Sequence, residues 1–116
     1  MNERVTSGDH IALAKALQAA PAPGNLAADI LSRGGIDLEF YSPHLVDLQQ
    51  PHERDELYVI ARGSGTLVVE GARFPFTAGD VLSVPAGADH RFEAFSNDFA
   101  TWVIFYGPIG GARAAS

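Results

Sequence analysis

The stretch Gln50-Pro-His52-Glu-Arg-Asp-Glu56-Leu-Tyr-Val-Ile-Ala-Arg-Gly63 decides how the rest of the chain is read. It sets an imidazole at His52 and a carboxylate at Glu56, just ahead of a strand-like run from Leu57 to Arg62 that stops at Gly63. Downstream, Gly79-Asp-Val-Leu-Ser-Val-Pro85-Ala-Gly87-Ala-Asp-His90 answers with a second imidazole placed shortly after a Pro-x-Gly turn. In His90-Arg-Phe-Glu-Ala94 the alternation is clean, so His90, Phe92 and Ala94 share the core face and Arg91 and Glu93 the other. Upstream, Val46, Leu48, Gln50 and His52 alternate with Asp47 and Gln49, which predicts a strand whose inward face carries Gln50 and His52. Two inward imidazoles and a carboxylate make a ligand set of facial-triad type, suited to Fe(II) and related divalent cations with positions left open. The plainer reading of a single inward histidine is a neutral ring, packed and hydrogen-bonded in the core.

Working outward, the chain reads as short strands separated by Gly and Pro. Ile36, Leu38 and Phe40 alternate with Asp37 and Glu39 as in a half-buried strand, and Ser32-Arg-Gly34-Gly35 reads as a hairpin turn back to a partner over Ala28 to Leu31. Further strands are expected at Leu57 to Ala61, Thr66 to Glu70, Arg73 to Phe76, Val81 to Val84, His90 to Phe95 and Ala100 to Tyr106. Many short strands joined by tight turns point to a sandwich or barrel. Ahead of them, Asp9 to Ala20 has helical spacing at Ile11, Ala14, Leu17 and Ala20, with Ser7 or Asp9 as cap and Pro21-Ala-Pro-Gly24 as stop. Residues 1–24 are therefore an arm and helix, 25–107 the barrel, and 108–116, rich in Gly and Ala, a loose tail. Two strands, Leu57 to Ala61 and Ala100 to Tyr106, are apolar on both faces and need an outer cover, either the helix or a second subunit, so a homodimer is expected.

Composition excludes several classes. With 116 residues the length fits one domain, and the net charge of -6, with Lys15 the only lysine and seven scattered arginines, offers no basic stripe for nucleic acid. The absence of cysteine rules out disulfides, thiolate metal sites and thiol nucleophiles. Met1 to Asp9 lacks a signal-peptide core and no apolar run approaches a membrane span, so a soluble cytoplasmic protein is expected, without membrane partners. Ser64, Ser83 and Ser96 have no placed base, which leaves serine-triad chemistry unsupported. Glu53 and Asp55, in a charged run, are read as solvated, and His10 and His44 as surface residues. Tyr58, Phe92, Trp102 and Tyr106 are core aromatics first. Tyr58, by parity with Glu56, and Phe92, by parity with His90, are also candidate walls of a substrate pocket, together with Trp102.

The two quoted stretches resemble the paired motifs of the cupin family. The first motif, His-x-His, then Glu, then Gly after six residues, is met by Gln50, His52, Glu56 and Gly63. The second is met by Gly79, Pro85, Gly87 and His90, with fifteen residues between Gly63 and Gly79, a compact spacing like that of small microbial cupins. Two positions depart from the pattern: Gln50 stands where a ligand His is usual, and Ala94 where an Asn is usual. The resemblance implies an all-β double-stranded β-helix, or jelly roll, preceded by the short helix. It also implies a divalent metal (Fe, Mn, Zn or Ni) held by His52, Glu56 and His90, with Gln50 either a weak fourth ligand or a residue supporting a three-ligand site. Cupins host dioxygenases, isomerases, decarboxylases, sensors and storage proteins, so the fold names no single reaction. A metal-dependent enzyme on a small organic molecule, of the dioxygenase or related oxidoreductase kind, is the leading expectation. A metal-dependent isomerase or a non-catalytic ligand-binding sensor is the alternative.

Overall fold

The computed structural model describes residues 8–47 and 50–111. A short helix α1 (Leu13–Ala19) precedes eight strands: β1 (Ala28–Arg33), β2 (Ile36–Tyr41), β3 (Asp55–Arg62), β4 (Ser64–Val69), β5 (Ala72–Thr77), β6 (Val81–Val84), β7 (His90–Glu93) and β8 (Ala100–Tyr106). They form two antiparallel sheets, one of five strands in the order β1-β2-β8-β3-β6 and one of three in the order β5-β4-β7. This is the expected jelly-roll architecture. The β1–β2 hairpin turns on Gly34 and Gly35, both at positive φ (61° and 81°), the conformation that a two-residue turn between twisted strands demands.

Between the sheets lies an aromatic core. Phe92, 2% exposed, meets Tyr58 at 4.8 Å, Phe99 at 4.7 Å and Phe76 at 5.6 Å between ring centroids, in tilted and edge-on pairings. Burying one such ring contributes about 1.5–3 kcal/mol. Tyr58 and Ile60 from β3, Leu67 from β4 and Val103 and Phe105 from β8 complete this core. A second cluster sits on the outer face of the larger sheet, where Ala16, Leu13 and Leu17 of α1 cover Phe40, Ala100 and Trp102. Ala16 is the buried contact of the helix.

Several expectations are corrected here. The helix begins at Leu13 with Ala12 as N-cap and no side-chain capping bond; Asp9 instead pairs with Arg33 at 2.9 Å, and Ser7 lies outside the described residues. Residues 46–52 carry no strand among those described: Val46 is half-exposed, Asp47 is buried and Gln50 is exposed, the reverse of the predicted faces, with Leu48 and Gln49 outside the described residues. The physical reason is that the Asp47 carboxylate is fully used inside, accepting hydrogen bonds from the Tyr41 hydroxyl (2.6 Å) and the Phe92 N–H (2.7 Å). Alternation in β2 holds, but its apolar face turns outward: Phe40 packs under α1, whereas Glu39 lines the barrel mouth. The tail is also not loose as far as Gly111. The Gly110 N–H donates to the Glu53 carbonyl (2.7 Å), the Arg54 Nε to the Gly107 carbonyl (3.0 Å), and Gly111 is buried.

Gly63 shows why the first motif ends as it does. At φ +81° it would, with a Cβ, bring that atom 2.3 Å from Ser96 Oγ and 2.8 Å from the Phe99 Cα. Backbone cannot step aside as a side chain can. Gly63→Ala is expected to cost about 3 kcal/mol, against about 1 kcal/mol for Gly34→Ala, whose φ is also positive but whose surroundings are open. Thermal unfolding of the two variants checks this; equal losses would mean that the Ser96–Phe99 turn yields.

Candidate metal centre

Three side chains from three segments converge at one end of the core. Glu56 is the second residue of β3 and points inward on the same face as Tyr58 and Ile60. His90 opens β7, where pairing with Val69 of β4 fixes its register. His52 comes from the irregular segment before β3, and its carbonyl accepts a hydrogen bond from the Gly87 N–H at 2.7 Å, so the second motif's turn fastens the first motif's histidine. One ligand atom from each of the three lies within 4.8 Å of the others, a separation that modest side-chain rotation can close around one ion.

The burial is what makes the group unusual. Glu56 is 1% exposed and His90 3% exposed, in a wall formed by Tyr58, Phe92 and Phe105. His90 Nε2 approaches Glu56 Oε1 to 3.0 Å, but without hydrogen-bond geometry, so Nε2 and both carboxylate oxygens of Glu56 have no hydrogen-bond partner among the described residues. Buried polar atoms without partners are costly and uncommon. A divalent cation would satisfy all three, and the imidazole and carboxylate donors fit such an ion. At the far side of the ring, Nδ1 of His90 lies 2.9 Å from the Ala88 carbonyl. Nδ1 therefore carries the proton and donates it to that oxygen, leaving the Nε2 lone pair directed at Glu56.

Charge follows the same geometry. Burial pushes the His90 pKa down, but the adjacent Glu56 carboxylate and the Ala88 carbonyl outweigh it, and the net shift is upward. For His52, burial prevails over the pull of Glu56 and lowers the pKa.

Two cavities open beside the cluster, of about 640 and 360 Å³, and His52, Phe105, Asp29 and Glu39 line both. Gln50 is exposed and lines the smaller one with His52. Tyr58 and Phe92 back the cluster from the core, with Tyr58 and His90 ring centroids 6.3 Å apart. Trp102 does not join them. It sits on the opposite face of β8, edge-on to Phe40 at 4.8 Å in the helix cluster, because the parity of Val103 and Phe105 claims the inner face. Asp55 is corrected as well: it is buried and accepts a hydrogen bond from the Ala86 N–H (2.8 Å), bracing the Pro85–Gly87 turn. Glu53, His10 and His44 are exposed as expected.

The sequence reading missed the acids of the pocket wall. Glu39 shares a side-chain hydrogen bond with Asp29, and burial, with Asp29, Glu56 and Asp37 nearby, pushes its pKa up to about 7. Arg54 reaches the same wall but is engaged by the Asp37 carboxylate and the Gly35 and Gly107 carbonyls. Only the even alternation of β2 hinted that Glu39 had a face of its own.

Comparison with known proteins agrees with this architecture. Among solved structures, a Rhizobium leguminosarum protein of unknown function superposes with a TM-score of 0.70 at 16% identity, covering 86% of this chain and 97% of its own. A Neisseria meningitidis protein gives 0.69 at 20% identity, covering 85% and 100%. An uncharacterized Streptomyces coelicolor protein is 36% identical over 62 residues, which span 53% of this chain and 59% of that protein. No helix among the described residues is long and apolar enough to cross a membrane. The family model described as the cupin domain matches residues 39–106, which takes in both motifs and six of the eight strands whole, and the chain belongs to the cupin family.

Proposed function

We propose that this chain is a metal-dependent cupin whose pocket takes a small organic molecule and, with iron bound, carries it through oxygen-dependent chemistry of the dioxygenase type. The observation that carries this reading is Glu56, a carboxylate 1% exposed with neither oxygen hydrogen-bonded among the described residues, facing two imidazoles beside a cavity. A divalent ion held by His52, Glu56 and His90 would supply Lewis acidity and open coordination positions. His90 keeps its Nε2 lone pair available through its Nδ1–H bond to Ala88, and Phe105 and Val103 give the adjoining cavity an apolar side. Glu39, on the cavity wall beside Asp29, can hold or give up a proton near neutral pH and accepts hydrogen bonds from hydroxyl or amino groups of the bound molecule. Gln50, neutral and at the rim, leaves the ligand set at three. A second copy is the proposed partner. It would cover the outer face of the larger sheet, where register aligns Leu38, Ile104 and Leu57 and sets Val59 against Val81, which is 59% exposed beyond the reach of α1.

Loading metal-free protein with Fe(II) under anaerobic conditions should give about one equivalent bound and an optical nitrosyl signal on adding nitric oxide. His52→Ala and His90→Ala should each lose most of the metal, and binding should weaken as pH falls below about 6.5, because protons compete for imidazole. Gln50→His should tighten the metal while weakening the nitrosyl signal. Metal bound with no nitrosyl signal in wild type would favour a passive ligand-binding module over an oxygen-using enzyme.

Glu39 makes a separate prediction for metal-free protein. Its pKa is raised on folding from the usual 4.5 to about 7, so the folded state prefers the protonated form. The stability tied to that proton is present below about pH 4.5 and is lost as pH rises through about 7. Discounted for the group's partial exposure, Glu39→Gln should gain about 1 kcal/mol over wild type at pH 8 and nothing at pH 4.5 in denaturant titrations. A gain that is equal at both values would disprove the shift.

Light scattering at micromolar concentration should return twice the chain mass, and Val59→Glu should return the monomer mass with the fold retained. A monomeric wild type would rule out the second copy as partner.

A further inference from the structure

We propose that Asp47 is a positioning residue for the metal centre: its buried carboxylate ties the strand that bears His90 to the opposite sheet and fixes the path of the segment that delivers His52. The proposal rests on reading His52, Glu56 and His90 as metal ligands, and adds a residue that neither motif contains.

Asp47 is 7% exposed in a stretch whose neighbour Val46 is 50% exposed, so its carboxylate turns inward at a position where the local pattern calls for solvent. Both oxygens are used, and they reach different sheets. Oδ1 accepts from the hydroxyl of Tyr41 at the end of β2, in the five-stranded sheet. Oδ2 accepts from the backbone N–H of Phe92 in β7, in the three-stranded sheet. β7 is an edge strand paired only with β4, and Phe92 is 2% exposed, so without this acceptor a buried backbone donor would face no partner on that side. The carboxylate stands in for a neighbouring strand.

His90 lies two residues before Phe92 on the same inward face, so whatever locates the Phe92 N–H also locates the His90 ring. His52 follows Asp47 by five residues, with no helix or strand among the described residues between. The segment is pinned outside by Asn25, whose side chain accepts from the His44 N–H (2.8 Å) and donates to the Val46 carbonyl (3.0 Å). Inside it is pinned at Asp47, and beyond it at the His52 carbonyl by Gly87. Asp47 is thus the inner anchor that the two histidine-bearing segments share. Residues that orient metal ligands from behind change affinity by about 10–100-fold when removed.

The test uses the full chain and Zn(II) as probe, with affinity read against a chromophoric chelator and metal-free protein followed by amide hydrogen exchange. Asp47→Ala should weaken Zn(II) binding by about 10–100-fold and speed exchange at the Gly87 amide. Asp47→Asn should restore affinity to within about threefold, since its amide oxygen can accept from Phe92 and its NH₂ can donate to the Tyr41 oxygen. A Phe40→Leu variant, in the helix cluster on the far face, should lose stability yet keep its affinity for Zn(II), which separates positioning from general destabilisation. If Asp47→Ala does not fold, Tyr41→Phe, which removes the hydroxyl that Oδ1 accepts from, carries the test, and a several-fold loss is expected. Wild-type affinity and unchanged Gly87 exchange in the folded alanine variant, or unchanged affinity in Tyr41→Phe where the alanine variant does not fold, would overturn the proposal while leaving the metal centre standing. Absence of Zn(II) binding by wild type would overturn both.

Discussion

Everything at the working end of this barrel depends on how a carboxylate is accommodated at Glu56. An ionised group taken from water into an apolar wall loses several kcal/mol of hydration unless charge and hydrogen bonds replace it. Here no hydrogen bond among the described residues supplies that replacement, and a bound cation would. Two imidazoles face the carboxylate, the nearer oriented from behind by a backbone carbonyl. Around them three turns and strand ends are locked to one another by buried acceptors: Asp47 on Tyr41 and Phe92, Asp55 on Ala86, and the His52 carbonyl on Gly87. Acidic side chains thus do structural work at both margins of the centre. Their own burial is sustained because each accepts from a buried donor that would otherwise have been stranded.

The barrel is polar at its mouth and apolar on part of its exterior, which inverts the usual expectation for a small sandwich. Asp29 and Glu39 occupy inner-face positions of β1 and β2, in a row that continues through Val103 and Tyr58. The apolar members of β2 face out because α1 is there to receive Phe40. An interior kept partly wet and acidic is compatible with stability only because the aromatic stack around Phe92 supplies a dry core below it.

Much of this was legible in the sequence, and the failures share a cause. The resemblance of His52, Glu56, Gly63, Gly79, Pro85, Gly87 and His90 to the two cupin motifs pointed to one candidate centre, and the structure brings His52, Glu56 and His90 together there, with the glycines on turns that need their backbone freedom. Apart from the strand expected over Val46 to His52, strand positions were recovered within a few residues for the same reason. Which face of a strand looks inward was not always recoverable. Alternation reports two faces and cannot say which is covered when both are, so Trp102 was assigned to the pocket although it packs under the helix, and the pattern of β2 did not say that Phe40 does the same. Asp47 and Asp55 failed differently: an acid is solvated by default, and the donors that bury them, the Phe92 and Ala86 amides, lie far along the chain.

The order of strands in the larger sheet has a consequence for how the chain reaches its fold. β8, the last strand, lies between β2 and β3, with Leu38 and Leu57 both paired to Ile104. During synthesis, the two edges it will join must wait with their hydrogen-bonding groups open until residue 106 has cleared the ribosome. A chain halted before that point presents the N–H and C=O rows of β2 and β3 and the unfilled side of the core to whatever else is in the compartment. For a domain of this topology, closure of the larger sheet waits on the emergence of β8, whatever order the other strands form in.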